Sequence, residues 1–579
     1  MKAFFRPHKS CVVLSQLKIR QLFYPKILPK LKRKENLGGI MQSGDVALDT
    51  MPKLLARNVR EFGNSPAFRE KDLGIWQSWN WNEANEQIMF LAKGLIELGV
   101  KEEDHVAVIG RNRPYLYWSL LAAQHIGAVP VPLYQDAVAD EMEYGLSDSK
   151  PKVLFADSER LQRFFEINSD FVGMKVVGVR TEKGQPSVID YQEVKESSAA
   201  SPDVDIEPDH DACIFYTSGT TGYPKGAQLT HRGCVHNIMN LAFAGQLSLS
   251  ATCRIQMVPE PDPKDTPIPS ALVTTPMFHV TANNCVAHMT TIAGGKLVHM
   301  YRWDANEALR LIEREKITSM SGVPVMSREL LSHPEFKKYD TSSLLNLGGG
   351  GAQLQPDLVE KIDSSGEARP STGYGMTETC GIITSIAGIF FLDKPESCGP
   401  AMPVFETKIV NADGTEQPNG HDGELWVRGA PVIKGYINRP DATREAITDG
   451  WLHTGDVARC DEDGFIFIVD RVKDMVLRGG ENIYCSEVET TLHKIPEISE
   501  CSVFGVPDDR LGEEVGAVIY IVPGSTKTVT EIREFCFSHM AKHKVPKYIW
   551  FSESPLPRNA NGKFLKRELR ESLDLKNAL

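Results

Sequence analysis

The sequence predicts an α/β protein made of several subdomains. From Met51 onward, short β-rich runs alternate with stretches of helical periodicity, a pattern typical of βαβ units and a largely parallel sheet. At 579 residues the chain is too long for a single hydrophobic core. A charged segment, Asp470–Asp474, separates the alternating region from a C-terminal tail with a different pattern of predicted elements, so we expect a domain boundary there.

The alternation is clear in one complete unit near the start of this region. His105–Ile109 predicts a strand, because it is a short run dominated by valine and other apolar residues. Tyr115–Ile126 predicts a helix, since Pro114 directly before it is typical of a first helical turn. Ala128–Leu133 then predicts the next strand.

Similar signals continue along the chain. Asp304 and Glu307 form a pair typical of a helix N-terminus. The apolar residues behind them recur at helical spacing and predict a core-facing stripe: Ala305, Ala308, Leu309 and Ile312. Pro259–Pro269 is rich in proline and acid and predicts a surface loop. Phe465–Val469 predicts a strand before the boundary, and the tail predicts two strands and a helix at Cys501–Gly505, Val515–Val522 and roughly Val529–His543.

Composition excludes several classes of protein. No apolar run is long enough for a membrane-spanning helix, and the longest candidate, Ile382–Leu392, reads as buried core. The formal net charge is −12, which argues against a nucleic-acid-binding protein. The 11 cysteines are scattered without a CxxC pair, which argues against a disulfide framework or a zinc site. We therefore expect a reducing, cytoplasmic location.

The first 40 residues form a basic extension with two interpretations. Residues 1–34 carry ten Lys or Arg and no Asp or Glu, as mitochondrial transit peptides do. However, the extension has only two serines, and three prolines interrupt any long amphipathic helix. The alternative, which we favour, is that Met41 is the true start. A transit peptide would place the protein in the mitochondrial matrix instead.

The segment richest in residues suited to binding phosphate is Tyr216–Gly226, with the sequence YTSGTTGYPKG. Glycines let backbone N–H groups approach phosphate oxygens, the hydroxyls donate hydrogen bonds, and Lys225 supplies positive charge. The lysine is followed by glycine, so the segment is not a Walker A loop. A strand-like run, Ala212–Phe215, precedes it and makes a merely flexible loop a poor explanation.

This segment resembles the signature of the adenylate-forming superfamily, which includes acyl-CoA synthetases, luciferases and nonribosomal adenylation domains. The resemblance extends from Met51 to Leu569, with further motifs in the family's order. It implies a large N-terminal domain of packed α/β subdomains (residues 41–470) and a small, mobile α+β C-terminal domain (471–579). It also implies that ATP is bound by Thr217, Ser218, Gly219, Thr220, Thr221, Gly222 and Lys225.

Two further motifs complete the expected adenylate site. Ser371–Glu378 resembles the family's second core motif, which implies that Tyr374 stacks on adenine, Thr377 contacts the α-phosphate and Glu378 helps to hold Mg²⁺. Asp449–Asp456 resembles the ribose motif. Within it, Asp456 accepts hydrogen bonds from the ribose hydroxyls, with Arg471 as its companion.

The second half-reaction is expected to use the C-terminal domain. By resemblance, Lys473 is the hinge about which this domain rotates. The following loop binds the pantetheine arm of CoA through Gly479, Gly480 and Glu481. His279, in Pro276–His279, either gates the acyl pocket and assists thioester formation or is a structural histidine.

The resemblance implies an ATP-dependent acyl-CoA ligase that uses ATP, Mg²⁺ and CoA and releases AMP and pyrophosphate. Nonribosomal adenylation domains hold the substrate amine with an Asp near the position of His279, and Val273–Val280 contains no acid, so the resemblance argues against an α-amino acid substrate. Gly348–Gly351 leave space in the expected acyl pocket, which suits a medium- or long-chain fatty acid. By resemblance this pocket is lined by Val280, Thr281, Asn283, Gly349, Gly350, Ala352 and Met376. The alternatives are an aryl acid, a carrier-protein acceptor, a luciferase-like oxygenase or an inactive nucleotide-binding regulator. A homodimer is compatible with the sequence.

Lys563, in Pro557–Lys563, is the residue that by resemblance bridges the attacking carboxylate and the α-phosphate. Attack of one anion on another requires a cation in the transition state. We therefore expect Lys563→Ala to abolish most acyl-adenylate formation while sparing thioester formation from preformed acyl-adenylate. Pyrophosphate release and single-turnover thioester formation measure the two steps; unchanged pyrophosphate release would contradict the assignment.

Overall fold

The structure is a computed structural model of the chain. It describes residues 42–43, 46–72, 74–167, 169–182, 184–217, 224–262, 266–351, 353–411, 413–479, 481–522, 524–558, 564–574 and 577–579. Five sets of predictions lie outside the described residues: the basic extension with Met41, the loop residues Ser218–Gly222, and Ala352, Gly480 and Lys563.

In chain order the strands are β1 (Gln42–Ser43), β2 (Val46–Ala47), β3 (Pro66–Asp72), β4 (Ile75–Asn80), β5 (His105–Ile109), β6 (Val129–Pro132), β7 (Val153–Asp157), β8 (Lys175–Val179), β9 (Val188–Asp190), β10 (Asp211–Thr217), β11 (Lys225–Thr230), β12 (Ser270–Val273), β13 (Lys296–His299), β14 (Ser319–Gly322), β15 (Asn346–Gly349), β16 (Arg369–Thr372), β17 (Gly375–Met376), β18 (Gly381–Ile382), β19 (Ile386–Ala387), β20 (Gly399–Pro400), β21 (Phe405–Val410), β22 (Gly423–Gly429), β23 (Gly435–Tyr436), β24 (Ile447–Thr448), β25 (Trp451–Cys460), β26 (Phe465–Arg471), β27 (Val476–Arg478), β28 (Glu481–Ile483), β29 (Ile498–Asp508), β30 (Gly512–Ile521) and β31 (Tyr548–Phe551).

The α-helices are α1 (Met51–Phe62), α2 (Trp81–Glu97), α3 (Pro114–His125), α4 (Ala139–Ser149), α5 (Ser158–Phe165), α6 (Tyr191–Lys195), α7 (His231–Gln256), α8 (Met289–Ile292), α9 (Ala305–Glu315), α10 (Pro324–Ser332), α11 (Pro356–Ser364), α12 (Gly388–Asp393), α13 (Pro440–Ala446), α14 (Cys485–Leu492), α15 (Val529–His539) and α16 (Lys566–Ser572). A π-helix spans Thr281–His288, and short 3₁₀ turns span Phe336–Lys338, Thr377–Thr379 and Lys542–Lys544. None of the described helices is both long and apolar enough to cross a membrane.

Two largely parallel sheets form the centre of the N-terminal domain. One has five strands in the order β6-β5-β7-β8-β9, all parallel. The other has eight strands in the order β19-β16-β15-β14-β12-β13-β3-β4, with antiparallel strands only at its two ends. Strands such as β5 are buried on both faces, as expected where helices cover a parallel sheet. The predicted βαβ architecture is confirmed.

Two antiparallel sheets complete this domain. The strands β10-β11-β23 form a three-stranded sheet, and β20-β26-β25-β22-β21, with β24 on β25, form a six-stranded sheet. The hairpin β17-β18 forms a separate two-stranded sheet. The three-stranded sheet carries the predicted phosphate loop, and the six-stranded sheet carries the predicted ribose motif.

The C-terminal domain is small and of the α+β type. Its sheet has the order β28-β27-β30-β29, with β31 added in parallel to β30. Its apolar core includes Val476, Ile483 and Val503. A large N-terminal domain and a small C-terminal domain were predicted, and this division is confirmed.

The predicted boundary segment, Asp470–Asp474, begins within strand β26. Strand β26 continues through Asp470 and Arg471, because Arg471 pairs with Asp456 across the sheet. The start of α14 holds this segment, since the Ser486 backbone N–H donates to the Asp470 carboxylate (3.3 Å) and its hydroxyl donates to the Val469 carbonyl. The exact boundary at residue 470 stays a prediction.

Some predicted element ends were wrong. The helix predicted to reach His543 ends at His539, because its buried stripe of Ile532 and Cys536 has no fully buried continuation and Met540 is extended. The strand predicted at Ala128–Leu133 is shorter, at Val129–Pro132. The N-terminus of α9 is as expected, since the Asp304 carboxylate accepts the Glu307 N–H at 2.7 Å.

Asn112 joins the two parallel sheets just beyond the end of β5. Its buried carboxamide donates to the Thr275 carbonyl (2.7 Å) and accepts the Met277 N–H (3.0 Å). Both partners lie beyond β12 of the eight-stranded sheet, so one side chain fixes the relative position of the two sheets at this edge.

We expect Asn112→Ala to lower the free energy of unfolding by about 2 kcal/mol, because it leaves a buried donor and acceptor unpaired. Urea denaturation followed by tryptophan fluorescence measures this change. Asn82→Ala is the matched control, since Asn82 makes an exposed carboxamide bond to Asn64 (3.3 Å). Equal stability of the two variants would contradict the structural role of Asn112.

Candidate active site

The predicted phosphate loop connects two paired strands. Thr217 ends β10 and Lys225 begins β11, and these two residues pair directly across the antiparallel sheet. The residues between them that bear the predicted phosphate contacts lie outside the described chain. Tyr144 anchors the end of the loop by donating its hydroxyl to the Pro224 carbonyl (2.8 Å), and Tyr216 donates its own to Asp148 (3.0 Å).

Tyr436 links the loop lysine to the predicted magnesium ligand. The Lys225 Nζ lies 4.5 Å from the centroid of the Tyr436 ring, and the Tyr436 hydroxyl donates to Glu378 Oε1 at 2.7 Å. Burial, together with the charge of Glu378, raises the pKa of Tyr436, so its hydroxyl keeps the proton that it donates. One aromatic side chain therefore contacts both residues, Lys225 over its ring and Glu378 at its hydroxyl.

Glu378 suits a magnesium ion that arrives with a nucleotide. It lies in the 3₁₀ turn Thr377–Thr379, is buried, and its carbonyl accepts the Ile433 N–H at 2.9 Å. Across the part of the chain that the structure describes, no three His, Cys, Asp or Glu residues cluster as metal ligands. A single carboxylate completed by phosphate oxygens is a usual environment for Mg²⁺.

The predicted adenine and ribose residues meet in the structure. The Tyr374 hydroxyl donates to Asp456 Oδ2 at 2.5 Å, and Arg471 Nε lies 3.2 Å from Asp456 Oδ1. Asp456 is buried, and β25 and β26 place it directly opposite Arg471. Burial and the charge of Asp456 hold the pKa of Tyr374 well above its usual value. The carboxylate is thus oriented by two donors before any ribose hydroxyl reaches it.

The local fold of the Ser371–Glu378 motif requires glycine. The Tyr374 carbonyl accepts the N–H groups of Ile383 (2.8 Å) and Thr384 (3.1 Å), which closes a tight hairpin. A Cβ at Gly375 would lie 1.9 Å from the Gly381 carbonyl oxygen. No side chain fits there, so the motif's glycine is needed to bring Tyr374 and Thr377 to the same edge.

His279 begins the wall of the expected acyl pocket. Its ring lies 4.1 Å from that of Phe278, which in turn lies 5.2 Å from Tyr134 (centroid distances). The His279 carbonyl accepts the Asn283 N–H (3.0 Å) at the entry to the π-helix Thr281–His288. π-Helical segments are frequent at functional sites.

The pocket glycines fall into two groups. A Cβ at Gly349 would lie 2.2 Å from Leu354 Cδ1, and one at Gly348 would lie 2.7 Å from Ser371 Oγ, so neighbouring side chains fill these spaces. A Cβ at Gly350 would meet only Thr281 Cγ2, at 3.5 Å, and one at Gly351 would meet nothing within 4 Å. Gly350 is half-buried and Gly351 is exposed, so the space left by this glycine run lies at its solvent-facing end.

The other described residues expected in the pocket are uncharged. Val280 and Asn283 are buried, and Met376 is half-buried on β17 opposite Gly381. The Asn283 carboxamide donates to Asn284 Oδ1 at 2.8 Å.

The expected hinge and CoA loop lie in the C-terminal domain. Lys473 is exposed in the turn after β26, and the Gly479 N–H donates to the Leu511 carbonyl at 2.7 Å. Gly479 has a φ of +59°, which favours glycine. Among the described residues, no hydrogen bond or ion pair joins Gly479 or Glu481 to the site around Glu378 and Asp456.

Two family models match most of the chain. The family model for AMP-binding enzymes matches residues 55–437, and the model for their C-terminal domain matches residues 487–563. The chain belongs to the AMP-binding enzyme family. The two matches contain the phosphate loop, the adenylate motif and the lysine near the C-terminus.

Individual relatives of this AMP-binding enzyme are CoA ligases. It is 34% identical over 488 residues to a feruloyl-CoA synthase of Amycolatopsis sp (84% of this chain, 92% of the relative). It is 32% identical over 479 residues to a long-chain-fatty-acid–CoA ligase of Mycobacterium tuberculosis (82% and 90%). The structure of Bacillus subtilis o-succinylbenzoate CoA synthetase with its acyl-adenylate matches with a TM-score of 0.76 at 26% identity, covering 90% of this chain and 98% of that one.

This AMP-binding enzyme is therefore an ATP-dependent acyl- or aryl-CoA ligase, an AMP-forming acid–thiol ligase that uses ATP, Mg²⁺ and CoA. The predicted enzyme class and cofactors are confirmed. The assignment of Glu378 to the metal and of Asp456 to the ribose stays a prediction.

Sequence reasoning missed Tyr436. It lies 58 residues from Glu378, outside the motifs that mark the site, and only the pairing of β23 with β11 brings it there. It also missed Asn237, whose Oδ1 accepts the Ile382 N–H (2.9 Å) and supports the adenylate hairpin from α7. Neither residue carries a local sequence signal.

We expect Tyr436→Phe to raise the Mg²⁺ concentration needed for half-maximal acyl-adenylate formation by about tenfold. The variant loses the hydrogen bond that orients the buried Glu378 carboxylate, while the aromatic ring against Lys225 is kept. Mg²⁺ titration of pyrophosphate release measures the change. Tyr339→Phe is the matched control, since Tyr339 donates to Asn306 (2.9 Å) far along the chain; an unchanged Mg²⁺ requirement in Tyr436→Phe would contradict the role.

Proposed function

We propose that this ligase activates a carboxylic acid with an uncharged, apolar acyl group, and that a medium- or long-chain fatty acid is its substrate. The acid is joined to AMP with release of pyrophosphate, and the acyl group is then transferred to CoA with release of AMP. The observation that carries the proposal is that the described residues expected to line the acyl pocket are all uncharged.

The described pocket residues support this choice of acid. Val280, Thr281, Asn283 and Met376 carry no charge, so nothing in this set would pair with a second carboxylate or an amine on the acyl group. Burying an unpaired charge against them would be costly. The similarity to a long-chain-fatty-acid–CoA ligase agrees with this preference.

The catalytic roles follow the geometry and the resemblance together. Lys225 and Lys563 neutralise phosphate charge, Thr377 and Glu378 hold the α-phosphate and the metal, and Asp456 holds the ribose. Rotation about Lys473 brings Gly479–Glu481 to the pantetheine arm for the second half-reaction. These roles, a cytoplasmic location and any homodimer remain part of the proposal.

An aryl acid is the second candidate, and a specific observation favours it. Asn283 Oδ1 is buried and accepts no hydrogen bond from the described residues. A buried acceptor without a donor is costly, and the phenolic hydroxyl of a hydroxylated aryl acid would satisfy it. The similarity to a feruloyl-CoA synthase points in the same direction.

The two candidates are separated by a panel of acids assayed for pyrophosphate and CoA thioester in parallel. Hexanoate, decanoate and palmitate represent fatty acids; cinnamate, 4-coumarate and ferulate represent aryl acids; malonate and phenylalanine carry extra charge. We expect thioester from decanoate or palmitate with kcat/KM at least tenfold above that for the charged acids, since the pocket residues offer no counter-charge.

Asn283→Leu refines the assignment. With a fatty acid substrate, the variant keeps or improves kcat/KM, because an unsatisfied acceptor is replaced by apolar surface. With a hydroxylated aryl substrate, it loses about tenfold for 4-coumarate relative to cinnamate. Preference for malonate or phenylalanine would contradict both candidates, and pyrophosphate without any thioester would indicate a carrier-protein acceptor.

A further inference from the structure

The chain pairs with itself on either side of the predicted catalytic residue Lys563. Arg558, before this lysine, and Phe564, directly after it, form an antiparallel bridge. The Leu565 N–H also donates to the Pro557 carbonyl at 3.0 Å. Two short arms of the C-terminal domain, one before and one after Lys563, are therefore joined to each other at their bases.

Glu500 holds the first arm, residues 556–558. One oxygen of its carboxylate accepts the Leu556 N–H at 2.7 Å, and the other accepts a guanidinium N–H of Arg558 at 2.9 Å. Glu500 lies beside a β-bulge in β29, and bulges redirect the side chains next to them. The Glu500 side chain is only 18% exposed, so salt screens these bonds less than those of a surface pair.

Arg558 connects the first arm to the chain beyond Lys563. Its guanidinium carbon lies 4.0 Å from the centroid of the Phe564 ring, which is a cation–π contact. Phe564 in turn packs against an apolar cluster that includes Trp550. Because Glu500 orients the guanidinium group, it also acts on the ring directly next to Lys563.

Lys566 holds the second arm, residues 564–566, against the same strand. Its Nζ donates to the Val503 carbonyl at 3.0 Å and lies 2.9 Å from Glu489 Oε1, which also accepts the Val503 N–H at 2.8 Å. Burial alone would lower the pKa of Lys566, but the charge of Glu489 and other neighbours raises this pKa above its usual value. The lysine therefore stays charged, and α16 begins at a fixed place on β29.

We propose that Glu500 and Lys566 are positioning residues for acyl-adenylate formation, and that they act by anchoring the two arms beside Lys563 to β29. The inference rests on the role proposed above for Lys563 and deepens it. Glu500 and Val503 lie on one strand, so the two anchoring points belong to a single rigid element. Together they restrict the positions that Lys563 can take before the substrates arrive.

Such anchoring matters because of what a catalytic cation does. A cation that neutralises charge in the transition state is effective only when its position is set in advance. The loss of one anchor therefore slows the step that uses Lys563. The transfer of the acyl group to CoA, in which Lys563 has no proposed role, is expected to proceed as before.

The first test uses the full-length protein and measures the two half-reactions separately, with the acid of the panel above that gives most pyrophosphate. Glu500→Gln keeps the size of the side chain and removes its charge. We expect it to lower kcat for pyrophosphate release about tenfold at an unchanged KM for ATP, because the orientation of Lys563 matters in the transition state. Single-turnover thioester formation from preformed acyl-adenylate keeps the wild-type rate. Unchanged pyrophosphate release, or an equal loss in both half-reactions, would overturn the positioning role.

The matched control is Glu487→Gln, the same substitution at another acid of the C-terminal domain. Glu487 forms its ion pair with Lys544 (2.7 Å), outside the two arms. We expect both half-reactions of this variant to match those of the wild type. A loss of pyrophosphate release equal to that of Glu500→Gln would show that any change of charge in this domain has the same effect, which contradicts the proposal.

The second anchor is tested by a pair of variants at Lys566. Lys566→Met is expected to lower pyrophosphate release about tenfold, because it removes both bonds to the strand and to Glu489. Lys566→Arg is expected to restore most of the rate, since a guanidinium group donates to a carbonyl and a carboxylate at once. Equal rates in the two variants would contradict the role of Lys566. If Lys566→Met does not fold, Glu500→Gln decides.

Combination with Lys563→Ala separates this inference from the role of the catalytic lysine. If Glu500 acts through Lys563, adding Glu500→Gln to Lys563→Ala lowers pyrophosphate release by at most about twofold further. Losses that multiply in the double variant refute the positioning role alone. Unchanged pyrophosphate release in Lys563→Ala refutes the role of Lys563 instead.

Limited proteolysis tests the anchoring without any substrate. Trypsin cleavage after Lys563 is followed by mass spectrometry in the full-length wild type, Glu500→Gln and Glu487→Gln. We expect cleavage about tenfold faster in Glu500→Gln than in the other two proteins, because cleavage follows the population in which the arms have separated. Equal cleavage rates in all three proteins would overturn the anchoring.

Discussion

The hydrogen bond from the Tyr436 hydroxyl to the Glu378 carboxylate is the interaction on which the rest of the adenylation site depends. Tyr436 lies on β23, which pairs with β11, the strand that Lys225 begins. Glu378 lies in the turn that follows β17. The bond therefore fixes the phosphate-loop sheet against the adenylate hairpin. A buried carboxylate without this donor would lose stability or its charge, and the predicted metal ligand would then no longer be a fixed anion.

The chain as a whole is acidic, yet it must receive anionic substrates. Such substrates are therefore attracted by local cations such as Lys225 and not by the overall field. Asn112 holds the segment that leads to His279 between the two parallel sheets, so this segment keeps a fixed position beside them.

The sequence was a reliable guide where function depends on short motifs. Tyr374, Asp456 and Arg471, which were singled out from two separate motifs and the strand after them, lie together in the structure. Each belongs to a local turn or strand, so consecutive residues carry the signal. The sequence was a poor guide where contacts depend on topology. Tyr436 reaches its partner only through strand pairing. The side chains of Ser371 and Leu354 occupy the space beside Gly348 and Gly349, and no spacing rule reveals this. The end of α15 at His539 also depends on burial in the folded domain, which propensity does not encode.

The π-helix at Thr281–His288 has a consequence for how this enzyme could diverge. A π-helix holds one residue more per turn than an α-helix, so it accommodates an insertion without breaking the backbone path. Loss of a single residue within Thr281–His288 would return this turn to α-helical geometry and leave the following helix α8 in place. The side chains of the turn itself would change while the surrounding core keeps its register. One deletion could therefore remodel this turn without refolding the domain.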